Sequence, residues 1–473
     1  MADDAVFVDH PERVIAANAD STDDETSSGD LVEVPNNAKP LQIVSIGTET
    51  DKYAFSFHKE EMNKITTMIP PGWKVAVVSV VGAMRTGKSF LLSWFLLYLQ
   101  HIKETDDDTC KGGNWYDHYN SLGHRGFDWR GGSDRNTTGI WMWSEPHFVK
   151  KKSGENLAVL LVDTQGMFDH ESTMALTASI FGLSTLVSSY QIYNVDKRIQ
   201  EDNLQQLALF SEYARMALST NDDEDVAQTS KPFQHVEFLV RDWQNFEAED
   251  DCAEMQREME AYLDSVIAER DAKDLQETRE QILSCFQNIS CYGFVHPGSA
   301  VTKKTFSGDV KAIDPTFLKL LARYCEKVFD VESLKPKIIH GRELTAVELG
   351  SYMQAYADLF ASGAHFPEAA TLLHATATAN NHNAVYLGMA EYKGTMDRIA
   401  GPHCSIYIKP DELQEDHRLA MERSLDTFKS VATFGTHGAI LEAREDLTAQ
   451  VSDSFVVYTK LNEGRNPLAG VET

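Results

Sequence analysis

Residues 82–89 read Gly-Ala-Met-Arg-Thr-Gly-Lys-Ser. This stretch fits the phosphate-loop pattern G-x-x-x-x-G-K-[ST] at every fixed position. A β-branched run at 75–81 precedes it and an apolar segment at 90–97 follows it, so the pattern lies between a predicted strand and a predicted helix. In that context the glycines let backbone N–H groups surround phosphate oxygens, and the helix N-terminus adds its positive dipole end. The stretch therefore predicts a nucleotide-binding α/β fold.

Two side chains of this loop have predicted roles in binding. Lys88 should reach the β- and γ-phosphates, and Ser89 should ligate Mg²⁺. A second motif, Asp-Thr-Gln-Gly at 163–166, directly follows the apolar strand predicted at 159–162. Asp163 can hold the hydration shell of Mg²⁺, and Gly166 can present its N–H to the γ-phosphate. Each short motif is weak alone, but together and in this order they predict a nucleoside triphosphate site.

A third motif, Thr-Thr-Gly at 137–139, ends a long polar connection that runs from 103 to 135. Connections of that length in compact domains are usually functional. A threonine placed there can close over Mg²⁺ and the γ-phosphate. Taken alone, Thr-Thr-Gly is more often the start of a strand, but its place between the other two motifs favours the binding role.

The identity of the nucleotide base is predicted from Arg241-Asp242, which follows the strand predicted at 236–240. Guanine offers two adjacent donors, and one carboxylate accepts both, whereas the ring N1 of adenine is an acceptor. Many GTP-binding proteins use an Asn-Lys-x-Asp segment for this contact, and the sequence contains none. Asp242 is the candidate. Without other evidence, a surface ion pair at a strand end is the better interpretation.

Composition excludes several other classes. The chain has 473 residues, a hydrophobic content of 42% and a formal net charge of -29, which favour two or more globular domains and argue against a nucleic-acid partner. The same charge argues against broad adhesion to anionic lipid. Six cysteines lack CxxC spacing, so we expect no zinc site and a reducing cytosol. We expect the chain, as given, to be soluble.

The order of predicted elements indicates two folded parts. Alternating strands and helices predict an α/β domain around the P-loop, with a mostly parallel sheet and helices on both faces. After about Pro315 strand signals stop, and three long helical patterns predict an all-α three-helix bundle. The predicted division is a disordered acidic tail at 1–40, the α/β nucleotide-binding domain at 41–360, a hinge at 361–367, the bundle at 368–461 and a C-terminal stub at 462–473.

The whole set of motifs resembles the atlastins, which are dynamin-superfamily GTPases related to the guanylate-binding proteins. The resemblance covers nearly the whole chain from about residue 41, and the set is specific. Beside the phosphate loop, its motifs are Gly126–Ser133, Thr137–Ile140, Leu161–Gly166, Gln200–Leu204, Phe238–Trp243, His296–Gly298 and Ala375–Asn381.

The resemblance implies roles for single residues. Arg85 would be an arginine finger supplied in cis, which stabilises charge on the transferring phosphoryl group. Met167 stands where Ras-type enzymes carry a water-orienting glutamine, which supports reliance on Arg85. Thr137 would meet Mg²⁺, and the resemblance reverses the ion-pair interpretation of Arg241 and Asp242. Val301 would form a shelf under the base, and Arg130 would lie in the loop near a dimer interface. Lys304 replaces the usual asparagine of the base cap. Further nucleotide contacts are implied for Thr86, Gly87, Phe90, Gln165 and Gly166.

The implied function is GTP hydrolysis with Mg²⁺ as cofactor and GTP and GDP as substrate and product. Atlastins pair as homodimers across the nucleotide face, and a swing of the bundle fuses endoplasmic reticulum membranes. The family's two membrane spans and amphipathic tail follow the bundle, and the sequence stops at Thr473 without them. We therefore expect this chain to be the part of an endoplasmic reticulum membrane protein that lies on the cytosolic face of the membrane.

Two alternatives stay open. A guanylate-binding-protein-like soluble GTPase would share the core but should have a longer helical domain. A tether clamped by GTP without fusion activity would barely turn over, and the presence of Arg85 argues against it.

Overall fold

A computed structural model describes residues 6–8, 38–49, 52–104, 114–122, 126–129, 138–167, 174–218, 231–248, 251–339, 341–361, 369–433 and 437–466. Ten of its strands form one sheet with the order β10-β9-β8-β4-β7-β5-β2-β3, to which β6 adds beside β7 and β1 beside β6. The strands are β1 (Val6–Val8), β2 (Pro40–Glu49), β3 (Lys52–Phe57), β4 (Lys74–Gly82), β5 (Ile140–Trp143), β6 (His147–Lys150), β7 (Asn156–Thr164), β8 (Tyr190–Asp196), β9 (Phe233–Arg241) and β10 (Phe286–Gly293).

The middle of this sheet is parallel. Strands β10, β9, β8, β4 and β7 pair in parallel, whereas β1, β2, β3, β5 and β6 pair antiparallel. Parallel strands need crossover connections, and helices supply them here. The helices are α1 (Lys59–Thr66), α2 (Lys88–Glu104), α3 (Met174–Val187), α4 (Glu201–Leu218), α5 (Cys252–Ile267), α6 (Lys273–Cys285), α7 (Pro315–Val328), α8 (Ala346–Ala361), α9 (Ala369–Ala400), α10 (Pro410–Val431) and α11 (His437–Glu463).

Strand β4 shows why the sheet is covered on both faces. Its apolar run alternates between two cores: Val75, Val77 and Val81 lie in one, and Val78 and Val80 lie in the other. Successive side chains of a strand point to opposite faces, so a continuous β-branched run is buried only when helices pack on both sides. Helices α2 and α7 contribute to one core, while α3 and α8 contribute to the other. The α/β fold class and the helices after it are thus confirmed.

Helices α9, α10 and α11 pack around a third core. Helix α9 also packs against α4 and α8. Two buried hydrogen bonds join α8 to α9: the Tyr352 hydroxyl donates to Asn380 Oδ1 at 3.4 Å, and the Thr376 hydroxyl donates to the Tyr356 hydroxyl at 3.1 Å. Asn380 also donates to the carbonyl of Val431 at the end of α10, at 3.1 Å. We refer to the first two bonds as the α8–α9 contact.

Two short pairings differ from the predicted pattern. Most of the tail predicted at 1–40 lies outside the described residues, but β1 within it pairs antiparallel with β6. Val-Phe-Val is a good strand sequence, and it adds to the open edge of β6. After Pro315, where strand signals stop, β11 (Ile338–Ile339) and β12 (Arg342–Glu343) still form a two-residue ladder, too short to give an alternating pattern. The predicted hinge lies outside the described residues, except that Ala361 ends α8.

The helices differ widely in length, from 8 residues in α1 to 32 residues in α9. Across the ranges of sequence described above, no helix is both long and apolar enough to cross a bilayer.

Candidate functional site

The candidate site lies where the parallel strands end. The carboxyl ends of β4, β7, β8 and β9 meet at one edge of the sheet, because these strands run in the same direction. Open parallel sheets bind ligands at this edge. The phosphate loop begins where β4 ends, Asp163 is the second-last residue of β7, and Asp242 directly follows β9.

The phosphate loop curls around the carbonyl of Ala83. That oxygen accepts hydrogen bonds from the Thr86 hydroxyl at 2.8 Å and from Lys88 Nζ at 3.0 Å. Gly87 has a φ of 77°, and Arg85 has a φ of 62°. The left-handed region costs a residue with a side chain roughly 1–2 kcal/mol. Strain of this kind is concentrated at functional sites, and the Arg85 side chain is exposed.

Lys88 is buried, with 6% of its surface exposed. Burial lowers its pKa to about 8; nearby Asp163 opposes this shift, and Arg241 adds to it. A buried ammonium held by a single neutral carbonyl gains much from a negatively charged partner. The side chain is therefore suited to exchange the Ala83 carbonyl for a phosphate oxygen.

Ser89 and Asp163 form an oxygen pair beside the loop. The Ser89 hydroxyl donates to Asp163 Oδ2 at 2.5 Å, and Asp163 is only 2% exposed. A hydroxyl and a carboxylate are the hard oxygen ligands that Mg²⁺ prefers, usually together with waters and substrate phosphate. The donor set thus fits this ion. Thr137, the third predicted ligand, lies outside the described residues.

The second motif is joined to the phosphate loop through main-chain hydrogen bonds. The N–H of Met84 donates to the carbonyl of Met167 at 2.9 Å, and the N–H of Met167 donates to the carbonyl of Gly82 at 3.1 Å. A Cβ on Gly166 would lie 2.5 Å from the Cα of Met84, so only glycine fits this close approach. Met167 is buried in this junction.

Gln165 connects the second motif to the third. Its side-chain oxygen accepts from the N–H of Gly139 at 2.9 Å, and its own N–H donates to the carbonyl of Gly139 at 2.7 Å. The preceding carbonyl, of Thr138, accepts from the Trp141 indole at 2.7 Å and from the Gln42 amide at 3.0 Å. The two residues that follow the predicted Mg²⁺-binding threonine, Thr138 and Gly139, are therefore anchored by these hydrogen bonds.

The base-reading end is formed by the loops after β9 and β10. Asp242 has a φ of 55°, and the next N–H, of Trp243, donates to the carbonyl of Phe294 at 2.8 Å. Arg241 pairs with Asp196 Oδ1 at 3.5 Å. Burial lowers the pKa of Arg241, whereas Asp242 and Asp196 oppose that shift. The sequence also allowed a surface ion pair at the end of this strand. Such an ion pair is present, and the acidic partner of Arg241 in it is Asp196.

A cavity of about 40 Å³ connects this end to the phosphate loop. Its walls come from α2, α7 and the ends of β8, β9 and β10. The lining residues are Thr86, Gly87, Phe90, Leu91, Trp94, Asn194, Leu239, Arg241, Asp242, Phe294, Pro297, Phe317 and Leu321. The fold thus brings the predicted Thr86, Gly87 and Phe90 together with Arg241 and Asp242. Val301 is half-buried in the turn that follows Gly298, and Arg130 lies outside the described residues.

Asn194 is the main residue of the site that the sequence patterns did not reveal. Its side-chain nitrogen donates to the carbonyl of Thr86 at 2.9 Å. The available signal was a polar residue near the end of an otherwise apolar predicted strand, beside the sheet edge where ligands bind.

Comparisons with known proteins show the family to which the chain is similar. The sequence model described as "Guanylate-binding protein, N-terminal domain" matches residues 52–338. Atlastin-1 of Macaca fascicularis is 34% identical over 446 residues, covering 93% of this chain and 75% of the relative. Human atlastin-3 is 35% identical over 472 residues, covering 98% and 81%, and human atlastin-2 is 34% identical over 468 residues, covering 98% and 76%.

Among solved structures, the GTPase-like domain of S. cerevisiae Ski7 bound to GTP was compared with the chain. It is 15% identical, covers 54% of this chain and 50% of its own, and has a TM-score of 0.22, a value that carries no argument about the fold. The family match spans more than half of the chain, and relatives with over 30% identity cover nearly all of it. The chain therefore belongs to the atlastin family, GTP hydrolases of the dynamin superfamily with a guanylate-binding-protein N-terminal domain.

Proposed function

We propose that this GTPase pairs with a second copy of itself across its nucleotide face and that hydrolysis moves its helical bundle. In the cell this cycle would tether and fuse endoplasmic reticulum membranes, with the chain on their cytosolic face. The observation that carries the proposal is the sheet edge where Lys88, the Ser89–Asp163 pair and Asp242 converge beside an exposed Arg85. An exposed cationic side chain at the mouth of a phosphate site can be reached by substrate and by a partner subunit.

The proposed chemistry is electrostatic stabilisation of phosphoryl transfer. Lys88 exchanges the Ala83 carbonyl for phosphate oxygens, and the N–H of Gly166 faces the γ-phosphate. The Arg85 guanidinium neutralises charge that develops on the transferring group. Gln165 keeps the third motif beside the site through Gly139. Thr86, Gly87 and Phe90 complete the nucleotide contacts, with Thr137 over the γ-phosphate and Arg130 stabilising the loop at the dimer interface.

We assign Mg²⁺ to Ser89 and Asp163, with Thr137 as the third protein ligand and Asp163 acting through water. The ion, when bound, neutralises charge on the β- and γ-phosphate oxygens. The base would be read by Asp242, whose carboxylate accepts the two guanine donors, with Arg241 beside it and Val301 under the ring. Both assignments are supported by the end-of-strand positions of Asp163 and Asp242.

We divide the chain into a GTPase domain at 41–360, a hinge at 361–367 and a bundle at 368–461. Movement of the bundle would separate the α8–α9 contact. The polar character of that contact supports the proposal, because water can replace hydroxyl and amide partners at little net free energy.

Molar mass in solution tests the pairing. We expect a monomer with GDP, and a dimer with a non-hydrolysable GTP analogue or with GDP plus aluminium fluoride, measured by light scattering after size-exclusion chromatography. A monomer in all three states would refute nucleotide-gated pairing. Phosphate release measured on the same samples keeps the tests separate, because a monomer that turns over rapidly would still be a GTPase.

The pKa of Lys88 predicts a pH dependence of nucleotide binding. In the free protein burial lowers this pKa to about 8, and a bound phosphate raises it again because the charged form is favoured. At a pH between the pKa of Lys88 in the free protein and its higher pKa in the complex, the complex holds a proton that the free protein has lost. Binding is therefore strongest below about pH 8 and weakens as pH rises. We expect the affinity for GDP to fall by up to about tenfold per pH unit above that value, measured by fluorescence titration from pH 7 to 9.5.

Lys88→Arg is the matched control for this titration. Its guanidinium stays charged throughout the range, while ionisation of the guanine base affects both proteins equally. The difference in slope therefore belongs to Lys88, and parallel curves would contradict the assignment. Should the variant bind too weakly, calorimetry of the unaltered protein at pH 8.5 in two buffers of different ionisation heat measures the proton uptake directly.

A further inference from the structure

We propose that Asn194 is a positioning residue for the phosphate loop. Its side chain holds the carbonyl of Thr86 and so orients the peptide bond between Thr86 and Gly87. The Thr86 carbonyl and the Gly87 N–H belong to one planar trans peptide, in which the two bonds point in opposite directions. A hydrogen bond that fixes the carbonyl toward Asn194 therefore turns the Gly87 N–H away from Asn194.

The contact is short and buried. The distance from Asn194 Nδ2 to the Thr86 oxygen is 2.9 Å, and Asn194 is 1% exposed. A carbonyl oxygen only accepts hydrogen bonds, so the side-chain atom that faces it has to be the nitrogen. Water does not compete with the amide at a site this buried.

Asn194 also holds the start of the loop through its main chain. It is the register partner of Gly82 where β4 pairs with β8. A Cβ on Gly82 would lie 2.3 Å from the Asn194 carbonyl oxygen, so the two backbones are in close contact. The first residue of the loop thus rests on the backbone of Asn194, and the fifth is held by its side chain.

This hydrogen bond differs from the loop's contact with Lys88. The Lys88–Ala83 bond breaks when the ammonium turns to a phosphate, whereas the amide of Asn194 binds a carbonyl that phosphate does not replace. The Asn194 bond therefore persists in the free and the nucleotide-bound protein. A loop that stays preorganised in this way binds phosphate without further ordering.

Asn194→Asp tests the role with almost no change of shape. At pH 8 the introduced carboxylate faces the Thr86 carbonyl and repels it, whereas the protonated acid can donate a hydrogen bond in place of the amide. Burial raises the pKa of such a carboxyl, which brings the change into an accessible range. The quantity to measure is the ratio of the Kd for GDP of the variant to that of the unaltered protein at the same pH. We expect this ratio to be about ten or more at pH 8 and to fall toward one by pH 6.

Charged groups surround this end of β8, so the experiment has to compare proteins at each pH. They are Lys88 on α2, Asp163 at the end of β7, Arg241 and Asp242 at the end of β9, and Asp196 on β8 itself. Lys88 titrates near pH 8 in the unaltered protein, and the ratio of the two Kd values removes its contribution.

Gln191→Glu is the matched control. Gln191 lies on the same strand, is also 1% exposed, and undergoes the same change from amide to acid. Its side-chain oxygen accepts from the Thr185 hydroxyl at 3.0 Å, a bond that the acid keeps. We expect this variant to lose thermal stability but to show no pH-dependent change in its relative Kd for GDP.

Asn194→Ala covers the case in which the aspartate variant does not fold, because it introduces no buried charge. We expect its Kd for GDP to rise about tenfold at every pH. The proposal is overturned if Asn194→Ala binds GDP like the unaltered protein. It is also overturned if Asn194→Asp and Gln191→Glu change the relative Kd equally.

Discussion

Arg85→Ala should lower the turnover of GTP by about 10³-fold or more, the lower bound for loss of an arginine finger. The guanidinium acts on charge that develops during phosphoryl transfer, so the loss should fall on kcat, and the Kd for GTP should change by only a few fold. Steady-state phosphate release and equilibrium titration of a non-hydrolysable analogue measure the two quantities. Unchanged turnover in this variant would remove Arg85 from the catalytic groups.

The backbone at this position provides a control for Arg85→Ala. Arg85 has a φ of 62°, a conformation that strains alanine but not glycine. Arg85→Gly therefore removes the same guanidinium while relaxing the loop. If the side chain is the catalyst, both variants lose turnover equally. A glycine variant that stays active would assign the alanine defect to the shape of the loop.

Asp242→Asn should change which base the protein prefers. The carboxylate accepts from both N1–H and the 2-amino group of guanine, whereas an asparagine side chain offers one acceptor and one donor. Xanthine carries a carbonyl in place of the 2-amino group and matches asparagine. We expect the affinity for GTP to fall about 10²-fold, as for loss of a charged hydrogen-bonded pair, while the affinity for xanthosine triphosphate rises. Competition titrations with both nucleotides measure the exchange.

The local backbone makes this substitution a clean one. Asp242 has a φ of 55°, which asparagine also adopts readily. Asp196→Asn is the matched control. Asp196 lies at the end of the neighbouring strand β8, and its carboxylate oxygen is 3.5 Å from a guanidinium nitrogen of Arg241. This variant should leave the preference for GTP over xanthosine triphosphate unchanged. An equal shift in both variants would mean that net charge, and not base reading, sets the preference.

The sheet and the edge at which ligands bind follow largely from local sequence. The run at 75–81 is apolar at every position but one, so it predicted a strand buried on both faces. Because Asp163 and Asp242 directly follow two further apolar runs, the parallel arrangement alone brings them near Lys88. Their roles stay predictions until the variants above are measured.

Other parts of the site depend on register and could not be predicted. Asn194 meets Thr86 only because β8 pairs with β4 so that Asn194 stands opposite Gly82. Gln165 meets Gly139 through an equally specific pairing. Residues far apart in sequence carry no local signal for such contacts. The same limit applies to β1, whose three residues form a strand only because the edge of β6 is open.

The α8–α9 contact has a consequence for how temperature and solvent act on the molecule. Tyr352, Tyr356, Thr376 and Asn380 place hydroxyl and amide groups where most helix pairs place leucine or valine. In the proposed movement, opening this junction would hydrate the buried rings of Tyr352 and Tyr356, which raises the heat capacity. It would also hydrate the hydroxyl and amide groups, which lowers the heat capacity. The two contributions partly cancel, so the balance between joined and separated helices should vary less with temperature than it would for a purely apolar junction.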